Sequence, residues 1–167
     1  MQNAGVTRCI NMGCNIETSK KAIELSKEYD FIYSAVGIHP EELPQTEEEL
    51  WKSIGKIEEL ALSNKKTVAI GEIGLDYYWR NDNKELQKKA FIKQIELANK
   101  LNMPISIHSR EAIDDTIEII RKYKLKKSGV LHCCPFNPEL VRHGLEAGLY
   151  IAFGGTCTFK SSKNAPK

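Results

Sequence analysis

The chain has 167 residues, which suits one domain with a sizeable core, and its 41% apolar residues are interspersed with charge. No apolar run approaches the roughly 20 residues that span a bilayer, and the first residues lack the charged-then-apolar pattern of a secretion signal, so the expectation is a cytoplasmic protein without a membrane partner. The 24 basic and 22 acidic residues nearly cancel, so net charge neither selects nor rejects a nucleic-acid partner, and five cysteines without C-x-x-C spacing read as reduced thiols.

Strand-like and helix-like segments alternate from the start. Residues 6–12 form a strand pattern that ends at Gly13-Cys14-Asn15, and residues 17–28 carry Ala22, Ile23 and Leu25 at helical spacing. A second strand, 31–37, is closed by Ile38-His39-Pro40. A helix over 46–63 follows, with Thr46 and Glu49 placed as a capping box. The third strand, 67–72, ends on Glu72. The helix at 84–102 sets Leu86, Ala90, Phe91, Ile95, Ala98 and Leu101 on one face. The fourth strand, 104–108, ends on His108 and leads to a helix at 111–123. The fifth, 129–133, carries His132 and precedes a short helix at 138–147. A sixth strand, 149–153, runs into Gly154-Gly155-Thr156.

No linker interrupts this rhythm, so residues 1–167 read as one domain. Alternating β and α elements imply an α/β fold with a parallel sheet. An open dinucleotide-binding sheet would show G-x-G-x-x-G after its first strand, where this chain has Gly13-Cys14-Asn15. Polar residues at the ends of several strands favour a barrel, because barrel loops converge on one mouth. A complete (β/α)8 barrel takes about 250 residues, and six strands are counted, so the expectation is an incomplete TIM-type barrel.

Three apolar strands run straight into metal-capable side chains: Glu72, His108 and His132. One carboxylate and two imidazoles suit Zn, Mn, Fe or Ni, and the carboxylate leaves room for Mg. Gly71 and Gly74 flank Glu72 and read as sharp-turn or close-approach residues. Asp76 is a candidate to orient a ligand or act as a base on water, or else a loop carboxylate. His39 follows the second strand at the same mouth and could meet substrate or sit at the rim of a metal site. Arg110 could clamp a phosphate, or begin the next helix with its charge in solvent. The run Tyr77-Tyr78-Trp79 could stack on nucleobases or pack over the rim.

These segments together resemble a known family. Val36-Gly-Ile-His-Pro40, Ala69-Ile-Gly-Glu-Ile-Gly-Leu-Asp-Tyr-Tyr78, Pro104-Ile-Ser-Ile-His-Ser-Arg110, Gly129-Val-Leu-His-Cys133 and Phe153-Gly-Gly-Thr-Cys-Thr-Phe-Lys160 are similar, in order, to motifs of the TatD family of metal-dependent deoxyribonucleases. The resemblance implies an amidohydrolase-like TIM barrel holding one or two divalent ions (Mg, Mn or Zn), with Glu72, His108 and His132 as metal ligands. It implies Glu72 and Asp76 as catalytic groups, His39 and Arg110 as substrate contacts, and DNA as substrate.

Two family features are not found in the chain: a first strand with His-x-His and a last strand with a metal-binding Asp. The expectation is therefore six middle strands of an eight-stranded barrel. Weak metal binding, little cleavage by these residues alone and self-association through exposed edges would follow. Cys133-Cys134-Pro135-Phe136 stands where the family commonly has Cys-Phe-Ser-Gly. Two rivals are hydrolysis of amides or phosphomonoesters on the same scaffold, and a non-catalytic fragment or assembly module.

Overall fold

The computed structural model describes residues 2–159. Six strands lie side by side in sequence order: β1 (Cys9–Met12), β2 (Ile32–Val36), β3 (Thr67–Asp76), β4 (Ile105–Arg110), β5 (Val130–Leu131) and β6 (Tyr150–Ile151). Every neighbouring pair is parallel. Parallel neighbours need a crossover, and α1 (Ile16–Glu28), α2 (Glu47–Leu62), α3 (Lys84–Leu101), α4 (Ile113–Lys122) and α5 (Pro138–Glu146) provide them. Each helix touches the next, α1 to α2 through α4 to α5, so the outer layer follows the arc of the sheet. The architecture is an α/β half-barrel of six parallel strands. No described helix is long and apolar enough to cross a membrane.

The core lies between sheet and helices. Leu50 and Ile57 of α2 and Phe91 and Ile95 of α3 are fully buried with Ile70, Ile73 and Leu75 of β3 and Ile105 and Ile107 of β4, in one continuous cluster. These positions are mostly aliphatic runs on the strands and one stripe on each helix, as a sheet covered by helices requires.

The element ends decide where the polar groups go. Asn15 closes β1 and opens α1: its Oδ1 accepts the Thr18 N–H at 2.8 Å and its own N–H donates to Thr18 Oγ1 at 3.0 Å. This box fixes the chain as it leaves the mouth. At α2 the cap is one-sided, with Thr46 Oγ1 accepting the Glu49 N–H and no reciprocal bond from the Glu49 side chain.

β3 is the main departure from the sequence expectation. It continues past Glu72 to Asp76 and pairs with β4 as far as Asp76–Arg110, so Asp76 and Arg110 are strand residues and not loop or helix-start residues. The physical reason is Gly74. Its φ is +141°, and a Cβ there would lie 2.0 Å from the carbonyl oxygen of His108, so only glycine lets the two strands run this close. Elsewhere the ladders are shorter than expected. Residues 6–8 precede β1, whose pairing begins at Cys9–Ile32. β5 and β6 are two residues each, and His132 sits one residue beyond β5. Lys160, the last residue of the final motif, lies outside the described residues.

Candidate active site

The strand ends gather four polar groups at one mouth. His39, Glu72 and His108 each present a possible ligand atom within 4.8 Å of the others, the one such group among the described residues. The His39 and His108 rings meet edge to face with centroids 4.4 Å apart. His108 Nδ1 is 3.5 Å from Glu72 Oε1, while its Nε2 is 2.9 Å from Asp76 Oδ2.

Asp76 has no exposed surface and both of its oxygens are engaged, Oδ1 accepting the N–H groups of Tyr78 and Trp79 at 3.0 and 2.9 Å. Its grip on Nε2 turns the ring so that Nδ1 faces Glu72. A carboxylate behind an imidazole is the arrangement that fixes tautomer and orientation in metal-ligating histidines.

Burial works against the charged forms of these groups, and their mutual attraction outweighs it. Burial alone would raise the Glu72 and Asp76 carboxyls; hydrogen bonding to His108, helped at Glu72 by the charge of His132 and at Asp76 by the Trp79 and Tyr78 amides, brings both below their ordinary values. Burial likewise disfavours charge on His108, yet bonds to Glu72 and Asp76 raise its pKa. The carboxylates thus draw positive charge into the space between them, and a divalent cation there would satisfy the same demand. One carboxylate with imidazole nitrogens is a donor set that fits Mn or Zn, and Mg through the carboxylate.

His39 behaves differently. Burial, with the neighbouring His108, pushes its imidazole down to about 4, so it is neutral at neutral pH. Its Nδ1 accepts the Glu41 N–H at 3.3 Å, which leaves Nε2 as the protonated, donating nitrogen.

His132 stands outside this compact group. Its N–H still donates to the Ile107 carbonyl at 2.8 Å, and its Nε2 is 3.3 Å from Cys133 Sγ. Arg110 stacks over Tyr78 at 4.1 Å and Trp79 at 5.5 Å, on the rim. Tyr77 turns the other way, with its hydroxyl donating to Asp115 Oδ2 at 2.5 Å, and so leaves the aromatic rim to its two successors.

Two residues with no role expected from the sequence hold the mouth together. Gln87 and Gln94, one heptad apart on α3, are both fully buried. Gln87 Oε1 accepts the Asp76 N–H at 2.8 Å and its Nε2 donates to the Asp76 carbonyl at 3.0 Å. Gln94 makes the same two contacts, 2.8 and 3.0 Å, to Ile38, the residue before His39. The available signal was two glutamines on the face that carries Phe91 and Ile95, where an unpartnered amide would be costly. Replacing Gln87 by leucine leaves the Asp76 backbone groups unpaired and is expected to cost about 1–3 kcal/mol in urea denaturation; a cost within about 0.3 kcal/mol of zero would show that the clamp contributes nothing.

The comparisons with known proteins agree with this geometry. The family described as TatD related DNase matches residues 1–167. The chain is 40% identical over 161 residues to an uncharacterized metal-dependent hydrolase, YabD, of Bacillus subtilis (strain 168), covering 95% of this chain and 61% of that protein. It is 35% identical over 172 residues to the deoxyribonuclease Tat-D of Schizosaccharomyces pombe, covering 96% and 54% respectively. Among solved structures it is similar to YJJV, a TatD homolog from Escherichia coli K12, with a TM-score of 0.87 and 28% identity, over 96% of this chain and 61% of that one. The chain therefore spans between 54% and 61% of the length of these two curated relatives.

Proposed function

The chain belongs to the TatD-related DNase family, and on that footing we propose that its strand ends form a metal-dependent phosphodiesterase centre acting on DNA. The observation that carries this is the convergence of Glu72 and His108 beside His39, with His108 locked in orientation by the buried carboxylate of Asp76. Glu72, His108 and His132 hold one or two divalent ions. When bound, Mg, Mn or Zn supplies Lewis-acid polarisation of the phosphoryl oxygens and lowers the pKa of water.

The protein side chains do the rest. Asp76 acts through His108 by fixing which nitrogen faces Glu72. Neutral His39 offers its Nε2–H to a phosphate oxygen without adding charge beside the cation. The Arg110 guanidinium, held flat on Tyr78, offers paired donors to the same phosphate.

The compact His39, Glu72 and His108 grouping supports a second assignment, in which His39 and not His132 is the third ligand. Calorimetry separates the two. His132→Ala is expected to weaken Mn binding at least tenfold while His39→Ala leaves it within about twofold and slows turnover. The opposite pattern would make His39 the ligand. The activity itself is tested with labelled oligonucleotides. Slow loss of the full-length strand is expected, stopped by EDTA and by His108→Ala. Metal-dependent hydrolysis of amides or phosphomonoesters with phosphodiesters untouched would reject the reading.

A further inference from the structure

A second feature opens beside His108. A cleft of about 600 Å³ is lined by His108, Arg110, Cys133, Pro135 and Phe136, within the size range of small-ligand sites. Its two walls differ in chemistry. Arg110 forms one, its guanidinium lying over Tyr78 and Trp79, which stay 49% and 59% exposed and pack edge to face with ring centroids 4.7 Å apart. The loop that carries these rings is tied to the site itself through the two amides that Asp76 accepts. Phe136 lines the opposite wall and is backed by Phe153, stacked at 5.1 Å with planes only 12° apart. Phe136 belongs to the Cys133-Cys134-Pro135-Phe136 segment, where this chain departs from the usual family motif, so this wall is a feature of the present sequence.

We infer that this cleft is a subsite for one unpaired nucleobase, seated against Phe136 and facing Arg110, with the adjoining phosphate beside His108. The ligand class follows from the lining. A flat π-system gains from both an aromatic face and a guanidinium plane, and an attached phosphate is attracted by Arg110. A paired base is already stacked within its duplex and cannot enter without being extruded, which costs a few kcal/mol. The subsite therefore selects single-stranded ends or loops. Apolar ligands without charge would use Phe136 but not Arg110, and an isolated phosphate would use Arg110 but not Phe136.

This inference rests on the phosphodiesterase reading of the mouth, and binding separates the two. Fluorescence anisotropy is measured with a labelled thymidine oligonucleotide, an abasic strand of equal length and a blunt duplex. The base-bearing strand should bind about tenfold more tightly than the abasic one, and the duplex no better than the abasic strand. Phe136→Ala should erase that preference, and Phe136→Tyr, which keeps the ring, should retain it. Equal binding of base-bearing and abasic strands by the unaltered protein, or an unchanged preference in Phe136→Ala, overturns the subsite. Cleavage is followed in parallel: a preserved binding preference without metal-dependent cleavage supports the subsite and counts against the hydrolytic reading.

Discussion

Glu72→Ala is expected to abolish divalent-metal binding, read by calorimetry with Mn or Zn at neutral pH. Glu72 is the one carboxylate in the compact ligand group; Asp76, though adjacent, is fully buried with its oxygens committed to two backbone amides and His108. Without Glu72 the remaining donors are imidazoles, and His108 loses one of the two anions that raise its pKa. A cation would then meet neutral donors in a partly desolvated site with no nearby charge free to compensate it. Binding by Glu72→Ala equal to that of the unaltered chain would place the metal elsewhere.

Gly74→Ala should be among the most damaging single-methyl additions to this chain. The added Cβ would meet the His108 carbonyl oxygen at 2.0 Å, and that oxygen is backbone in a paired strand, so it cannot swing aside. The positive φ adds conformational strain. Crowding and strain together should cost about 3 kcal/mol or more in urea denaturation. Gly148→Ala is the control: it shares a positive φ of +80° but meets nothing within 4 Å, and should lose only the strain contribution, about 1 kcal/mol. Equal losses at the two positions would show that the close approach of β3 and β4 is not what Gly74 protects. Because His108 sits at the contact, Gly74→Ala should also weaken metal binding even where the fold survives.

Much of this architecture is legible in the sequence because it follows local rules. Aliphatic runs such as Ile105–Ile107 mark buried strands, the stripe through Ala90, Phe91 and Ile95 marks α3, and polar residues placed at the ends of those runs fall at one mouth. What the sequence conceals depends on how strands are staggered. Nothing local says that β3 continues to Asp76, because Gly71 and Gly74 look like turn residues until β4 is placed against them. The pairing of Gly74 with His108 brings Asp76 within reach of the His108 ring. His39 joins Glu72 and His108 because β2, β3 and β4 are neighbours, whereas His132 lies past the end of the two-residue β5. The clamps from Gln87 and Gln94 were hidden for a related reason: a buried amide on a helix is interpretable only once the backbone groups it satisfies are known. The Phe136–Phe153 wall joins residues from two loops, a relation no periodicity reveals.

The most direct test of the metal centre is anomalous diffraction from crystals loaded with Mn or Zn. The account predicts a peak in contact with the Glu72 carboxylate and His108 Nδ1, at about 2.0–2.2 Å from each as such ligands require, with Asp76 still bonded to Nε2. A peak held by Cys133 and His132 without Glu72, or away from the strand ends altogether, would contradict it.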